Sequence, residues 1–393
     1  MAVESELRIG VIGAGGRGSL ARYAHKPEEG VRVVAGADIR EEALAEVKER
    51  YGLDALATTD YRELLARPDI DAVFVTSPDF LHEEHAVAAL EAGKAVYLEK
   101  PMAITIEGCD RILEAAYRTK RKLYLGHNMR HLPMCVKMKA LIEQGAIGEP
   151  KVGWCRHFVG YGGDAYFKDW HAERSKSTSL LLQKGAHDID ILHWLCGGYT
   201  KRVVGMGGLT LYDRITDRHA PSERGDASWQ LENWPPLSQK GLNPIIDVED
   251  VSMMLMELAS GVFASYQQCH YTPDGWRNYT IIGTQGRIEN FGDVVRLWDR
   301  RHDYDPEGDA EFHLQENYGG HGGADPSIVA EFVRYLREGG PIATSPVAAR
   351  YAVAAGYLAT QSLRSGNMPM EVPGLPREIL QHFDAEVKGR GAG

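Results

Sequence analysis

The chain has 393 residues, of which 44% are hydrophobic and 25% charged, and its formal net charge is -11. At about 150 residues per domain this length predicts two or three folding units, and the composition excludes disordered, collagenous and coiled-coil proteins. With 55 acidic against 44 basic residues, no cationic surface for a phosphate backbone is indicated, so we expect no nucleic-acid partner.

Cysteine usage and the N-terminus indicate the compartment. The cysteines stand at wide, irregular intervals, at positions 109, 135, 155, 196 and 269. This spacing fits neither a disulfide framework nor a CxxC metal or redox motif, and it predicts reduced thiols. No basic stretch followed by an apolar one opens the chain, and no run approaches the about 18 apolar residues that span a bilayer. We therefore expect a cytoplasmic protein without membrane contact.

Residues 7–126 alternate short apolar runs with segments of helical periodicity, a pattern typical of a parallel sheet with crossover helices. The predicted strands are Arg8–Ile12, Arg32–Ala37, Ala72–Thr76, Ala95–Leu98 and Lys122–Leu125. Helical periodicity covers Glu41–Tyr51, His82–Ala92 and Ile106–Tyr117. The pattern predicts a doubly wound α/β domain over residues 1–130.

The alternation of short apolar runs with helical segments ends after Pro133, and residues 131–393 are predicted to form a second, α+β domain. The predicted strands, which fit an antiparallel sheet, are Val203–Leu211, Val251–Leu258, Gly261–His270 and Tyr279–Ile282. The predicted helices are Lys137–Gln144, Ala186–Leu195, Pro326–Arg337 and Pro346–Arg364. The aperiodic segment 213–243 is too long for an ordinary connector and is interpreted as a functional insert or lid. The tail after Pro373 is expected to be peripheral.

A GxGxxG motif follows the first predicted strand and precedes a predicted helix. Gly13 permits the tight turn, Gly15 lets the backbone approach a pyrophosphate, and Gly18 allows close helix packing. The free N–H groups and the positive dipole end of the helix then favour an anion. We expect the loop, including Gly16 and Arg17, to bind a dinucleotide.

Asp38 ends the next predicted strand, 20 residues beyond Gly18. A carboxylate at this place accepts hydrogen bonds from the adenosine ribose and repels a 2'-phosphate, which predicts NAD rather than NADP. Arg40 could offset that repulsion. The alternative interpretation is a glycine-rich turn followed by an aspartate helix cap.

Polar side chains follow three other predicted strands where each one ends. They are Ser77 and His82, with Pro78 between them, then Glu99 and Lys100, then Asn128 and Arg130. Because the carboxyl ends of parallel strands meet at one edge of the sheet, we expect this group to lie near the nicotinamide, with His82 facing the cofactor.

The stretch 76–101, which ends in Glu-Lys-Pro, resembles the signature of the glucose-fructose oxidoreductase / inositol dehydrogenase (Gfo/Idh/MocA) family. Similar matches are GHNMRHLP at 126–133, the helix entry at 184–190, and IIGTQGRIE at 281–289. The resemblance implies a Rossmann domain, a second domain with a large open sheet, and a nicotinamide cofactor. It also implies a homodimer or homotetramer, often formed through the sheet, and sugars, cyclitols or their derivatives as substrates.

The family carries a lysine in that triplet and a histidine in an Asp-x-x-x-His-x-x-Asp pattern. Lys100 and His187 match these two positions, and Asp190 matches the trailing acid. The leading Asp is replaced by Gln183, and the following Lys184 could supply a donor instead.

Oxidation of a secondary alcohol needs a base at the hydroxyl, for which His187 is suited, and a cation for the developing alkoxide, for which Lys100 is suited. Asp190 could hold the imidazole tautomer. The alternatives are a surface lysine, a core histidine and a solvated acid. The spacing of His187, Asp190 and His193 could indicate a metal, but no motif completes a ligand set, so we expect none.

The substrate contacts are expected to combine aromatic faces with charged and amide groups, because these suit a polyol. The candidates are Lys100, Asn128, Arg130, His157, Tyr161, Tyr166, Trp170, His171, Arg174, Gln183, Lys184, His187 and His321. His321 stands within the glycine-rich segment 319–325. For the run 157–174, ordinary loop content is the alternative; for His321, a flexible turn.

Three functions are compatible with these residues. The first is an NAD-dependent dehydrogenase of a sugar, glycoside or cyclitol. The second is an NAD-recycling glycoside hydrolase that works by transient C3 oxidation, elimination, hydration and re-reduction, and Gln183–Lys184 motivates it. The third, a non-catalytic sugar or nucleotide sensor, is disfavoured by the presence of both Lys100 and His187.

Overall fold

A computed structural model describes residues 6–223, 225, 227–315 and 321–387. The chain forms two compact units, the first of which comprises 6–132, 321–350 and 375–387 of the described residues. The described residues of 133–315 and 351–374 form the second unit. The first unit thus reaches two residues past the predicted boundary at 130, and it also takes up two later segments.

Six strands of the described residues form a parallel sheet in the order β3-β2-β1-β4-β5-β6. They are β1 Leu7–Ile12, β2 Val31–Ala37, β3 Leu56–Thr58, β4 Ala72–Val75, β5 Ala95–Leu98 and β6 Leu123–Leu125. The helices between them are α1 Glu41–Tyr51, α2 Tyr61–Leu65, α3 His82–Glu91 and α4 Ile106–Thr119. This order is that of a doubly wound dinucleotide-binding sheet, whose switch point lies between β1 and β4.

The five strands predicted for this sheet are all present, each within one residue of its expected bounds. These strands could be predicted from the sequence because strands buried on both faces have continuous apolar runs. In β4, for example, every residue is buried. The three-residue β3 was not predicted because it is too short for a periodic signal. The glycine loop leads into a 3₁₀ helix, Gly16–Tyr23, rather than an α-helix, since its glycines disfavour the α conformation.

The second unit is built on a nine-stranded sheet of described residues, in the order β14-β13-β12-β11-β7-β10-β9-β8-β15. β7 and β10 are parallel, and the other neighbouring pairs are antiparallel. Its helices are α5 Pro133–Glu143, α6 Gly162–Ala165, α7 Arg174–Ser177, α8 Leu180–Gln183 and α9 Gly185–Cys196. Its strands are β7 Pro150–Val159, β8 Thr200–Gly208, β9 Val251–Leu258, β10 Phe263–Cys269, β11 Gly275–Gly283, β12 Arg287–Phe291, β13 Val294–Trp298, β14 Ala310–His313 and β15 Met370–Glu371.

The sequence predicted no strand at β7, although β7 lies at the middle of this sheet. Its buried side carries Gly153, Cys155, His157 and Val159, so hydrophobicity does not alternate cleanly along the strand. The short strands β12, β13 and β14 were missed as well. Helix α9 packs on β7 and β10 and covers one face of the sheet.

The remaining helices are α10 Ala324–Glu338, α11 Pro346–Arg364 and α12 Arg377–Val387. Helix α10 belongs to the first unit because Phe332 packs on an aromatic row of the parallel sheet, with ring centroids 5.3 Å from Phe74 and 5.5 Å from Tyr97. The expectation of a peripheral tail was wrong, since Phe383 of α12 is fully buried. Among the described helices, none has the length and apolar character needed to cross a membrane.

Candidate active site

The glycine loop after β1 has a backbone that side chains would not permit. Gly13 and Gly16 adopt positive φ angles of 80° and 54°. A Cβ on Gly13 would lie 2.5 Å from the backbone nitrogen of Ser77, and one on Gly18 would lie 2.3 Å from the carbonyl oxygen of Gly13. Glycine is therefore favoured at Gly16 by its conformation, at Gly18 by the close approach of neighbouring backbone, and at Gly13 by both.

Asp38 is held against this loop. Its Oδ2 accepts a hydrogen bond of 2.9 Å from the backbone N–H of Gly15, and its Oδ1 accepts bonds from the backbone N–H and Nε of Arg40. The Arg40 guanidinium lies over Gly15, where a Cβ would come within 1.6 Å of Nη2. The predicted ribose-binding carboxylate is thus in place at the end of β2, with its charge already paired to Arg40.

Arg17 is the centre of a polar network in the first unit. Its guanidinium donates to Glu99 at 2.7 Å and forms a bidentate pair with Asp325 at 2.7 and 2.9 Å. Asn128 Nδ2 and His321 Nδ1 also bond to Asp325, at 3.0 and 2.9 Å. Burial by itself would raise the pKa of Asp325, but the hydrogen bonds from His321 and Arg17 hold it well below its usual range.

Three sequence-predicted residues, Arg17, Asn128 and His321, bond to Asp325, which was not among the predicted site residues. Asp325 stands in α10, about 200 residues beyond β6, so strand-end reasoning could not find it. His321 directs a nitrogen to Asp325, while much of its side chain is exposed. Gly319 and Gly320, from the predicted glycine-rich segment, lie outside the described residues.

The turns after β4 and β5 are tied together by His82, whose ring nitrogens lie 2.8 Å from the carbonyl oxygen of Ser77 and 2.7 Å from that of Pro101. The ring is 1% exposed, so the expectation that His82 faces the cofactor is corrected: both nitrogens are taken by main-chain carbonyls. The backbone N–H of Lys100 donates to Glu99 at 3.0 Å, and the Lys100–Pro101 peptide bond is cis. His82 and Glu99 therefore fix the backbone that presents Lys100.

Two further strand-end residues have structural partners in the first unit. Arg130 is buried, and its Nη1 donates to the carbonyl oxygen of Ala343 at 2.7 Å. The Ser77 hydroxyl bonds to His85, and the half-buried Pro78 precedes the 3₁₀ turn Asp79–Leu81. These contacts hold the ends of β4 and β6 in place.

In the second unit, the covered face of the sheet carries a charged network centred on Asp188 of α9. The strand register sets Arg277 opposite His157 and Tyr279 opposite Cys155. Asp188 Oδ1 accepts from Arg277 at 2.9 Å and from the Tyr279 hydroxyl, while Oδ2 lies 3.1 Å from His157 Nδ1. These bonds connect the helix to three positions on two adjacent strands.

The electrostatics of this network follow from its burial. Asp188 has no exposed surface, which by itself would raise its pKa, but Arg277 holds that pKa well below the usual range. Burial, reinforced by Arg277, lowers the pKa of His157 to about 4. Near neutral pH, Asp188 is therefore an anion and His157 is a neutral imidazole.

Lys184, directly before α9, is enclosed by aromatic rings. Its Nζ donates to the Tyr161 hydroxyl at 2.8 Å and lies 5.3 and 5.4 Å from the ring centroids of Tyr161 and Tyr166. Burial and then the Arg277 charge lower the pKa of Lys184 to about 7, although Asp188 opposes the shift. Close to neutral pH this side chain therefore exchanges between ammonium and amine.

The other predicted residues of this helix entry are buried as well. Gln183 ends α8, His187 and Asp190 lie in α9, and each is less than one-tenth exposed. The carboxylate that binds the sheet is Asp188 rather than the predicted Asp190. The available signal was an acid directly after His187, but Asp190 in the same helix offered a second acid.

Two of the substrate-contact candidates in the run 157–174 have other partners. Arg174 is exposed, and its Nη2 donates to Glu249 at 3.1 Å, where Arg364 also binds. Trp170 stacks on His171, with ring centroids 3.7 Å apart. The contacts thus place Arg174 in an ion-pair cluster with Glu249 rather than with Lys184.

The predicted insert, 213–243, contains the 3₁₀ turns Leu231–Asn233 and Pro236–Ser238. It docks on α6, where Asp164 Oδ1 accepts from the side-chain amide of Asn233 and, at 3.3 Å, from that of Gln239. Positions 224 and 226 of the insert lie outside the described residues.

Within the described ranges, no group of three or more His, Cys, Asp or Glu side chains is arranged to hold a metal ion. His193, one member of the considered metal spacing, is bonded through Nε2 to the Thr200 hydroxyl at 2.7 Å. This imidazole links the end of α9 to the start of β8.

Replacing Lys184 by Met is expected to raise the melting temperature, most strongly below pH 7. The reason is that Lys184 has a pKa of about 7 in the folded chain and about 10.4 when unfolded. Charging the buried amine opposes folding fully below pH 7, and this cost fades as the pH rises from 7 to about 10. Thermal scans across that range test this. The half-exposed Lys151, changed to Met, is the control and should show no such trend; an equal effect of both variants would contradict the prediction.

The fold and the first site together define a class, the Rossmann-fold dinucleotide-binding proteins, by strand order, glycine loop and acidic residue at the end of β2. Residues 7–127 match the NAD-binding Rossmann-fold model of the Gfo/Idh/MocA oxidoreductase family, and residues 139–372 match the model of its C-terminal alpha/beta domain. The chain belongs to the Gfo/Idh/MocA family. Its cofactor is NAD, as the Asp38 position predicted.

Among similar curated proteins is an inositol 2-dehydrogenase/D-chiro-inositol 3-dehydrogenase of Halalkalibacterium halodurans, 38% identical over 192 residues, covering 48% of this chain and 52% of that protein. An inositol 2-dehydrogenase of Pseudomonas syringae is 37% identical, covering 48% of this chain and 54% of that protein. The chain therefore spans about half the length of these curated relatives.

Solved structures resemble nearly the whole chain. Levoglucosan dehydrogenase in complex with NADH and L-sorbose has a TM-score of 0.75 at 22% identity, covering 94% of this chain and 100% of that one. An oxidoreductase domain protein from Kribbella flavida has a TM-score of 0.76 at 20% identity, with coverages of 94% and 100%. At these identities the likeness shows the fold.

Proposed function

We propose that the protein is an NAD-dependent dehydrogenase acting on a secondary alcohol of a sugar, glycoside or cyclitol. The observation that carries the proposal is the buried Lys184–Tyr161 pair, which lies beside the Asp188 network in the second unit. The first unit of the same chain has the glycine loop that a dinucleotide requires. Inositol dehydrogenases among the relatives support the substrate class.

The first unit fits the cofactor, because Gly13 and Gly18 leave no room for a Cβ and Asp38 is fixed beside the loop. We assign cofactor binding to the loop Gly13–Gly18 and Asp38, with the ends of β4, β5 and β6 completing the edge. When bound, NAD⁺ supplies the acceptor for the hydride that leaves the carbinol carbon. The Asp38 carboxylate disfavours a 2'-phosphate through charge repulsion.

The proposed proton chemistry is carried by this chain's own side chains. His187 removes the hydroxyl proton of the alcohol, and Lys100 donates to the oxygen as negative charge develops on it. Asp190 holds the imidazole of His187. In the reverse direction, His187 returns the proton to the carbonyl oxygen.

We propose that His157, Tyr161, Gln183 and Lys184 contact hydroxyl groups of the substrate. Their burial and their mixture of donors and acceptors suit a polyol, since each unpaired polar group in such a site disfavours a wrong substrate. Arg130 and Arg174 are proposed as positioning residues instead, because their guanidinium groups are bonded to Ala343 and Glu249.

The test is an assay of the purified protein with NAD⁺ against a panel of cyclitols, monosaccharides and glycosides. We expect NADH absorbance to rise with time for at least one member. Absence of NADH formation across the panel would count against the proposal. Cleavage of a glycoside with no net NADH would favour the cofactor-recycling hydrolase.

We further propose that the protein self-associates through the second sheet, on the face opposite α9. Met206, Met253, Leu255, Phe263 and Val152 are exposed there among the described residues, with Leu255 at 65%. The register sets Met206 beside Met253 and Phe263 beside Val152, so the apolar side chains are neighbours. A patch of this kind marks an interaction surface.

Changing Leu255 to Asp is therefore expected to shift the protein from dimer or tetramer to smaller species, because a charge would have to be buried in the interface. Sedimentation velocity over a range of protein concentrations measures the shift. The matched control is Leu53→Asp, at a leucine of the first unit that is 83% exposed, and it should not change the oligomeric state. Identical sedimentation of all three proteins would contradict the proposed interface.

A further inference from the structure

Asp325, in the first turn of α10, is a buried carboxylate that the chemistry proposed above does not use. It is 5% exposed and accepts hydrogen bonds from Arg17 Nη1 and Nη2 at 2.7 and 2.9 Å. Although burial by itself would raise its pKa, hydrogen bonds from His321 and Arg17 hold that pKa well below the usual range. Asp325 is therefore an anion at neutral pH, and a bidentate arginine pair offsets the cost of burying it.

The Arg17 guanidinium joins this carboxylate to a second one. Its remaining nitrogen, Nε, donates to Glu99 Oε1 at 2.7 Å, closer to that oxygen than the Tyr97 hydroxyl at 3.4 Å. Because the guanidinium is planar, the two nitrogens held by Asp325 set the direction in which Nε points. Asp325 therefore fixes the donor that Glu99 receives.

Glu99 uses its other oxygen for the main chain of Lys100. Oε2 accepts the backbone N–H of Lys100 at 3.0 Å. On the other side of the same residue, the His82 ring lies 2.7 Å from the carbonyl oxygen of Pro101. The terminal torsion of a glutamate is soft, so the Glu99 carboxylate keeps one orientation only while a partner holds its first oxygen. Arg17 is that partner, and the place of Lys100 depends on it.

Arg17 has more access to solvent than the two carboxylates that it joins. Its side chain is 30% exposed, against 7% for those of Glu99 and Asp325. A partly exposed arginine with a single ion-pair partner is weakly held, because water competes for its donors. The bidentate pair with Asp325 keeps the guanidinium turned towards Glu99.

We propose that Asp325 is a positioning residue for Lys100 and acts through Arg17 and Glu99. The proposal rests on the proposed function, in which Lys100 donates to the substrate oxygen. Two side chains separate Asp325 from the main chain of Lys100, so Asp325 affects where the ammonium group stands. All the residues of this chain of contacts belong to the first unit.

The kinetic test replaces Asp325 by Asn, which removes the charge and keeps the size of the side chain. We expect kcat to fall about tenfold with little change in KM, since a displacement of about 1 Å in a catalytic group can cost about 10²-fold in rate. In the Lys100→Ala background the same change should have almost no further effect, because residues that act as a unit are not additive. The control is Glu331→Gln, which alters another carboxylate of α10, bonded to the Tyr124 hydroxyl, and should leave kcat unchanged.

A spectroscopic measurement separates this proposal from the dehydrogenase activity. In cofactor-free protein with ¹⁵N-labelled lysines, the backbone amide of Lys100 is the signal that a Lys100→Arg variant loses. Asp325→Asn should move that signal upfield and speed its hydrogen exchange, because the N–H loses part of its bond to a carboxylate. Arg17→Lys should do the same, since an ammonium group cannot form the bidentate pair, and it serves as the test if Asp325→Asn does not fold.

A changed Lys100 amide in these variants but not in Glu331→Gln supports the positioning role. If the wild type then oxidises no sugar, only the proposed activity is refuted. An unchanged amide would overturn the positioning role. So would an equal loss of kcat from Asp325→Asn with and without the Lys100 side chain.

Discussion

Replacing Lys100 by Ala is expected to reduce kcat by about 10²–10³-fold, and replacing His187 by Ala by about 10²–10⁴-fold. Lys100 is proposed to stabilise charge that develops only in the transition state, so its loss should affect kcat more than KM. Loss of the His187 imidazole leaves the alcohol proton without an acceptor. Steady-state kinetics with the best substrate of the panel measures both effects.

Both variants should fold and bind cofactor. The backbone at Lys100 is held by Glu99 and by the His82 ring, neither of which needs the lysine side chain. Helix α9 is bonded to the sheet through Asp188, independently of His187. Calorimetric titration should therefore still detect binding of NADH by both variants.

Two control variants remove the same types of side chain at other positions. Lys151→Ala and His313→Ala remove a lysine and a histidine from exposed positions of the second unit and should leave kcat unchanged. Wild-type turnover in either the Lys100 or the His187 variant would refute the role assigned to that residue.

Replacing Asp188 by Asn is expected to lower the free energy of unfolding by about 3–5 kcal/mol, because it leaves Arg277 without its buried counter-charge. The amide keeps the size of the side chain, so the effect reports charge and hydrogen bonding rather than a cavity. Thermal and urea unfolding, followed by near-ultraviolet circular dichroism, measure the loss.

The double variant Asp188→Asn, Arg277→Met should recover part of that loss, since removing both partners of a buried pair is less harmful than removing one. The control is Glu91→Gln, which breaks an exposed ion pair with Arg118 and should change the free energy of unfolding by less than about 1 kcal/mol. Equal stability of the Asp188 variant and the wild type would show that the network does not hold α9 on the sheet.

Local sequence determined the first unit's sheet and its cofactor loop. Strands such as β4 and β5 are continuous apolar runs because both of their faces are covered, and such runs are visible without knowledge of any partner. The loop glycines and Asp38 indicate a dinucleotide site through their backbone conformation and their fixed spacing, which are also local properties. Helix α9 was likewise predicted from its local pattern, within one residue at each end, whereas the roles of Lys100 and His187 stay predictions.

Only the tertiary structure decided how the polar groups of the second unit combine. His157, Asp188 and Arg277 are far apart in the chain, and the register of β7 with β11 and the packing of α9 bring them together. A hydropathy pattern does not find β7, because its buried side carries Gly153, which lies against Cys196 and Ile281, and His157, which belongs to that network.

Contacts between distant segments also decide the properties of Lys184 and Arg17. The pKa of Lys184 depends on burial and on Arg277, neither of which its neighbours in sequence reveal. Arg17 meets Asp325 only because α10 returns to the first unit, where Phe332 packs on the aromatic row of the sheet. Local patterns report what a segment can form, whereas burial and partnership of charged groups arise from contacts between distant segments.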